Sequence, residues 1–195
     1  MKVSKEQMAE NRERIIDTAA QLFRERGFDG IGVADLMKAA GLTHGGFYGH
    51  FASKEDLMAQ ACARALEQLN AQWQHLIDDT TENPRVLLER AYLCGPHRDT
   101  PGRGCLMAAL GADAARQGPG VRSAVTQGLL AMVEMLSGVM PGRTKAARRQ
   151  KALADYASLV GALVLSRAVN DAALSDEILQ ATAAALQLPP TTING

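Results

Sequence analysis

The sequence predicts an all-α protein of about nine helices, and three observations carry that reading. Aromatic residues make up only 4% of the 195 residues while Ala and Leu are abundant, whereas strands draw on β-branched and aromatic side chains. Apolar residues recur at three- and four-residue steps along most of the chain. Gly, Pro, Asn and Ser stand where helices need starts and stops. The length allows one or at most two compact domains that bury about 70% of the unfolded surface.

The first helix is expected over Glu6–Arg26, where Met8, Ile15, Ile16, Ala19, Ala20, Leu22 and Phe23 form an apolar stripe and Gly27 follows as a C-cap. A short helix over Val33–Ala40 stops at Gly41. A third opens at Thr43, whose hydroxyl is placed to cap it. Ser53-Lys54-Glu55-Asp56 reads as an N-cap with an acidic residue at N3, ahead of a run without Gly or Pro until Pro84. Its core stripe is Leu57, Met58, Ala61, Ala65, Leu69, Trp73 and Leu76. Asn83-Pro84 starts the next helix. The segment GPHRDTPGRG, residues 95–104, is rich in Gly and Pro and reads as a surface loop. Helices resume over 105–117, 119–140, 145–170 and 176–186, and the tail PPTTING is expected to be loose.

Lys plus Arg and Asp plus Glu are both 21, a formal net charge of zero, so no global field recruits nucleic acid or an anionic membrane. Any such partner needs a local patch. Cys62, Cys94 and Cys105 are an odd set without C-x-x-C spacing, and the N-terminus lacks the apolar run of a secretory signal. A cytoplasmic location is the expectation. The longest apolar stretches, such as Ala157–Leu165, fall short of the roughly 20 residues that span a bilayer.

Leu36–Lys54 contains Lys38, His44, His50 and Lys54 but no Asp or Glu, although residues 1–60 as a whole hold eight basic residues against nine acidic ones. The positive character is therefore one face. Helix, Gly-containing turn and short helix is the order of a helix-turn-helix, whose second element enters the major groove. On that geometry Thr43–Tyr48 meet base edges.

Residues 15–58, IIDTAAQLFRERGFDGIGVADLMKAAGLTHGGFYGHFASKEDLM, resemble the DNA-binding domain of the TetR family of bacterial transcriptional regulators. The likeness rests on Leu22-Phe23 with Gly27-Phe28, the Ala40-Gly41-Leu42-Thr43 turn, Phe47-Tyr48 with His50-Phe51, and Ser53-Lys54-Glu55. It implies a DNA-binding domain over 1–52 and a helical ligand-binding and dimerisation domain over 53–195. By the same resemblance Thr43 caps the reading helix and donates to a phosphate, Tyr48 places its hydroxyl on a phosphate, and His50 and Lys54 contact flanking phosphates. His44 and Gly46 fall where such proteins read bases, and Gly45-Gly46 lets the backbone come close to the groove. The chain departs from the pattern at Gly32, where a Ser or Thr usually caps the preceding helix, and at Gly46, where a side chain is often present. Lys2, Lys5, Arg12 and Arg14 on the first helix are available to compensate.

Phe23, Phe28, Leu36, Phe47 and Phe51 are expected in the core of the small domain. His44 and His50, six residues apart, do not share a helix face and have no carboxylate or thiol nearby in sequence, so no metal site is expected; no other cofactor is expected either. Lys38 stays open between a solvated charge and a DNA contact. The C-terminal part offers Trp73, Tyr92, Asp113, Arg116, Met132, Met135 and Tyr156, the residue types of an apolar pocket with a few orienting polar groups. Trp73, Tyr92, Cys105, Met132 and Tyr156 are the candidate effector contacts. Gly161 and Ala162, with Ile178, Leu179, Thr182 and Leu186, suit a homodimer through the last two helices. Two-fold pairing then suits a palindromic operator.

The function implied is a ligand-responsive DNA-binding regulator, a repressor released by a small molecule. The alternative is a thiol sensor on the same scaffold, because Cys105 follows a Gly-rich segment and begins a helix, two residues after Arg103. An enzyme is not expected: the sequence has no G-x-x-x-x-G-K-[ST], G-x-S-x-G or H-E-x-x-H pattern.

Overall fold

In the computed structural model, residues 4–187 are described; Lys2 and the tail from Pro189 lie outside that range. Nine α-helices and two 3₁₀ turns follow one another without a strand among the described residues. They are α1 (Lys5–Arg26), α2 (Val33–Ala39), α3 (Lys54–Asp79), α4 (Pro84–Tyr92), α5 (Gly95–Asp99), α6 (Leu106–Ala114), α7 (Pro119–Val139), α8 (Lys145–Ala168) and α9 (Ala172–Gln187). The all-α expectation holds.

The chain forms two compact units, one of residues 1–70 and 101–131, the other of 71–100 and 132–195. They cut the chain differently from a division at residue 52, because the first turns of α3, together with α6 and the start of α7, pack with the N-terminal helices.

In the first unit, α1 starts on Ser4, whose hydroxyl accepts from the Gln7 amide at 3.1 Å, and ends on Gly27 at φ 77°, a conformation side chains resist. Its stripe of Ile15, Ile16, Ala19, Ala20 and Phe23 is buried. Phe23 meets Phe28 edge to face at 5.3 Å, and Leu36, Met37, Phe47, Phe51, Leu57, Met58, Leu106 and Leu110 complete one apolar cluster. Each such side chain contributes about 1.5–3 kcal/mol when fully buried. Helices α3 and α7 approach closely at Gly128, where an added Cβ would lie 2.5 Å from Leu66 Cδ1. Ser53 and Asp56 form a reciprocal cap at the start of α3: the Asp56 amide donates to Ser53 Oγ and the Ala52 amide to Asp56 Oδ2, both at 3.1 Å.

Residues 95–104 are not the surface loop that their Gly and Pro content predicts. Gly95–Asp99 form α5, Pro101–Arg103 form a 3₁₀ turn, and Gly102 is buried. Pro96 falls in a first helical turn, where no amide donor is needed, so it opens the helix rather than breaking it.

In the second unit, Asn83 Oδ1 caps α4 through the Arg85 amide at 3.0 Å, with Pro84 in the first turn. Thr144 caps α8 through the Ala147 amide. α9 begins at Ala172, earlier than residue 176, because Asp171 Oδ1 accepts from the Leu174 amide at 3.0 Å while the Ser175 hydroxyl donates to the Ser166 carbonyl. α8 and α9 pack against each other along their length. No described helix is long and apolar enough to cross a membrane.

Candidate nucleic-acid interface

The turn between α2 and the next element is set by Gly41 at φ 72°, with the Gly41 amide on the Lys38 carbonyl at 3.0 Å and the Leu42 amide on the Met37 carbonyl at 2.8 Å. Those bonds close α2 and aim the chain into a 3₁₀ turn over His44–Gly49. A tight turn rather than an α-helix suits a segment with three glycines in six residues, which has little α-propensity. Phe47 is the anchor: it is fully buried and packs on Phe51 at 5.5 Å. The His50 and Phe51 amides both end on the Phe47 carbonyl, at 2.9 and 3.0 Å.

On the solvent side, Tyr48 stands edge-on to Phe47 with 73% of its surface exposed. An aromatic ring with a polar tip of this kind suits an interface that is apolar on one side and polar on the other. His44, Gly45 and Gly49 are also exposed, and His50 is half-buried. Gly45 and Gly46 need not be glycine for the fold, since an added Cβ would meet nothing at Gly45 and only ordinary contacts at Gly46. Thr43 occupies the N-cap position with extended backbone, but its side chain makes no cap bond. The expected Thr43 cap is thus absent, and the 3₁₀ turn closes instead through the Gly46 amide on the Thr43 carbonyl at 3.1 Å. Gly32 likewise caps α2 without a side chain.

Lys54, at the start of α3, donates from Nζ to the Phe28 carbonyl at 2.6 Å. Its ammonium keeps further donors for another acceptor, and the bond fixes where that charge stands. Arg12 lies over the Phe51 ring at 5.1 Å and donates to Gln60 Oε1, which places one cation of α1 beside the aromatic pair. The structure therefore brings Thr43, His44, Gly45, Gly46, Tyr48 and His50 together on one turn, with Lys54 anchored to Phe28. Arg12's position escapes sequence reasoning, because the stacking partner is 39 residues away in the chain. No cluster of three or more metal-ligating side chains occurs among the described residues.

Trp73, Tyr92, Met132 and Tyr156, the other candidates, are all buried in the second unit, and Trp73 meets Tyr92 edge to face at 5.6 Å. Tyr92 also stands at 4.5 Å from the His97 ring, whose Nδ1 donates to the Tyr92 carbonyl at 2.8 Å. Burial pushes the His97 pKa down. Cys105 lies in the first unit instead, fully buried at the N-cap of α6. Arg24 is in electrostatic reach of both Cys105 and Cys62, and its own pKa is lowered by burial. Burial pushes the Cys62 thiol up to about 12, so that sulfur stays protonated.

A buried ion cluster was not foreseen. Arg85 Nε lies 2.9 Å from Glu89 Oε1, Arg85 Nη2 lies 3.2 Å from Asp155 Oδ2, and Lys151 Nζ lies 3.1 Å from Asp155 Oδ1. Arg85 also donates to the Leu186 carbonyl. Glu89 is 2% exposed, neither of its oxygens has a hydrogen-bond partner of good geometry, and burial raises its pKa, with Asp155 adding to the rise. The i, i+4 spacing of Arg85 and Glu89 was the available signal.

The profile of "Bacterial regulatory proteins, tetR family" matches residues 15–61. The chain is 32% identical over 87 residues to the HTH-type transcriptional repressor KstR2 of Mycobacterium tuberculosis, a match covering 45% of this chain and 43% of that protein. It is 28% identical over 134 residues to the HTH-type transcriptional repressor NemR of Escherichia coli, covering 66% of each. The match thus takes in less than half the length of the mycobacterial repressor. The crystal structure of the reduced form of E. coli NemR superposes with a TM-score of 0.77 at 24% identity, over 91% of this chain and 95% of that one. A TetR-family regulator from Cytophaga hutchinsonii gives 0.77 at 20%, over 95% and 96%. At these identities the superpositions establish the fold. The segment 15–61, which holds most of α1, all of α2, the 3₁₀ turn 44–49 and the first turns of α3, is thus similar to the N-terminal domain of the tetR family of bacterial regulatory proteins.

Proposed function

We propose that the protein is a DNA-binding transcriptional repressor that acts as a homodimer on a palindromic operator and releases it when a small molecule binds. The observation that carries this reading is the 3₁₀ turn 44–49, which buries Phe47 and leaves Tyr48 exposed inside the matched domain. Tyr48, His50, Thr43 and Lys54 position the domain on phosphates, and His44 with the bare backbone of Gly45 and Gly46 meets base edges. Few side chains discriminate sequence, so affinity per half-site is modest and pairing supplies the rest.

The pairing surface is the apolar side of α8 and α9. Ser158, Gly161, Ala162, Leu165, Ile178, Ala181, Thr182, Ala185 and Leu186 line a shallow groove of about 600 Å³, and Leu165 leaves 57% of its surface to solvent. Small residues there allow close helix approach in a second copy. The effector belongs in the second unit near Trp73 and Tyr92, where an aromatic pair is buried beside His97. It releases DNA only if it binds one disposition of α3 better than another, since equal affinity shifts nothing.

Selection of duplexes from a random pool by the purified protein tests the reading. An inverted repeat with half-sites about one helical turn, or a multiple of it, apart is expected; recovery of no common sequence contradicts it.

A second reading, a thiol sensor acting through Cys105, is favoured by the Arg24 cation within electrostatic reach of that sulfur and opposed by its complete burial. Cys105→Ser abolishes the response to an oxidant or electrophile under that reading, and leaves it unchanged under the first.

A further inference from the structure

One guanidinium ties the 3₁₀ turn at residues 101–103, whose Gly102 is buried, to α1 of the proposed DNA-reading unit. Arg24, on the last turn of α1, donates to the Gly102 carbonyl from both Nε, at 2.9 Å, and Nη2, at 2.6 Å. The fit around Gly102 is close: an added Cβ would come within 2.2 Å of Glu25 Oε1 and 2.8 Å of Glu25 Cγ, and Glu25 is itself held by Gln21 Nε2 at 2.8 Å. The 3₁₀ turn packs on α1 more extensively than any other element of its unit does. Three residues beyond Gly102 stands Cys105, fully buried where α6 begins.

The other side of Arg24 leads to the duplex-facing groups. Phe23, its neighbour, packs edge to face on Phe28, and the Phe28 carbonyl accepts from Lys54 Nζ. Gly102, Arg24, Phe23, Phe28 and Lys54 are thus contiguous, joined by two kinds of directional contact and one peptide bond. Arg24 is also a partly buried cation, a condition that lowers its pKa, and its two bonds to the Gly102 carbonyl replace part of the water it has lost, so breaking them carries a cost.

We propose that Arg24 is a positioning residue that couples the 101–105 turn to Lys54 of the DNA reader, so that displacement of the turn alters duplex binding. The inference rests on the DNA-binding reading above. Coupling is reciprocal, so it can be measured without knowing the effector: duplex binding must then be felt in the turn.

The experiment is hydrogen–deuterium exchange of the full-length protein with and without the selected duplex, in the wild type, Arg24→Ala and Arg24→Lys. In the wild type the duplex slows exchange across 101–106 by about fivefold or more, the low end of ordinary coupling. Arg24→Ala keeps the duplex affinity within about threefold but reduces that slowing to less than about twofold; Arg24→Lys, which keeps the charge and one donor direction, restores part of it. Thermal unfolding shows whether Arg24→Ala still folds, and if it does not, Arg24→Lys against Arg24→Gln decides by the same readout. Equal slowing in wild type and variants, or no slowing in a wild type that binds the duplex, overturns the proposal. A wild type that yields no duplex in the selection overturns the DNA-binding reading beneath it, and that result arrives before any exchange is measured.

Discussion

Lys54 Nζ donates to the Phe28 carbonyl at 2.6 Å, tying the first residue of α3 to the segment that follows α1. Under the proposed function the bond gives one side chain two roles: it joins the start of α3 to the segment between α1 and α2, and it fixes where a cation stands near the 44–49 turn.

Lys54→Met keeps the apolar stem and removes both roles. It is expected to lower stability by about 1–2 kcal/mol, as for a partly exposed bond from a charged donor. It is also expected to reduce the slope of log affinity against log salt by about 1, the signature of one lost phosphate contact. Denaturant unfolding and salt titrations of duplex binding check the two effects separately. A stability loss with an unchanged salt slope restricts Lys54 to the fold.

Phe47 and Tyr48 are adjacent but face opposite media. Phe47→Ala removes a fully buried ring and is expected to cost about 3–5 kcal/mol. Tyr48→Phe leaves stability within about 0.5 kcal/mol, as at exposed positions generally. It weakens duplex binding by about tenfold, the loss of one hydrogen bond to a charged acceptor. Comparable binding by Tyr48→Phe and the wild type removes the hydroxyl from the interface.

Glu89 makes stability depend on pH in a defined direction. Its folded pKa lies above the unfolded one because burial, and secondarily Asp155, disfavour the carboxylate. The folded state therefore holds the proton more tightly. Its contribution is fully present below the unfolded glutamate pKa of about 4.3 and is lost as pH rises through the raised folded value. Glu89→Gln keeps the shape without the charge and is expected to flatten the unfolding free energy over that window. An unchanged pH profile in Glu89→Gln places the dependence elsewhere. Arg85→Ala, by contrast, removes the cation that Glu89 and Asp155 share and leaves Asp155 with Lys151 alone; it is expected to destabilise the fold by about 1–3 kcal/mol and to raise the Glu89 pKa further.

Leu165 projects into solvent from the α8–α9 groove. If α8 and α9 form the proposed pairing surface, Leu165→Glu is expected to shift the protein to monomer in sedimentation while the helical circular dichroism is retained, because Leu165 is exposed within the single chain. A wild type that sediments as a monomer at micromolar concentration contradicts the pairing surface.

The local features were legible because their signals are local. The stripe of α1 and its Gly27 stop, the Ser53–Asp56 cap and the Gly41 turn each follow from a few neighbouring residues, and the structure shows all of them. Residues 95–104 misled because Pro opens a helix as readily as it breaks one, and only the burial of Gly102 against α1 decides which. Thr43 looked like a cap from its residue type, yet a 3₁₀ turn closed by a backbone bond makes no use of its hydroxyl. Arg24 with Gly102 and Arg85 with Asp155 are 78 and 70 residues apart, and no periodicity announces such pairs. The exposed Tyr48 lay within the resembling segment, whereas Cys105 and the aromatic pair of Trp73 and Tyr92 fall in different units, a separation that residue types alone do not reveal.

The most direct test is the equilibrium affinity of the purified protein for its selected duplex and for a scrambled duplex of equal length, each across a range of salt. If the 44–49 turn reads DNA as proposed, affinity falls steeply with salt and favours the selected duplex by about a thousandfold or more. Equal affinity for both duplexes, or binding indifferent to salt, contradicts it.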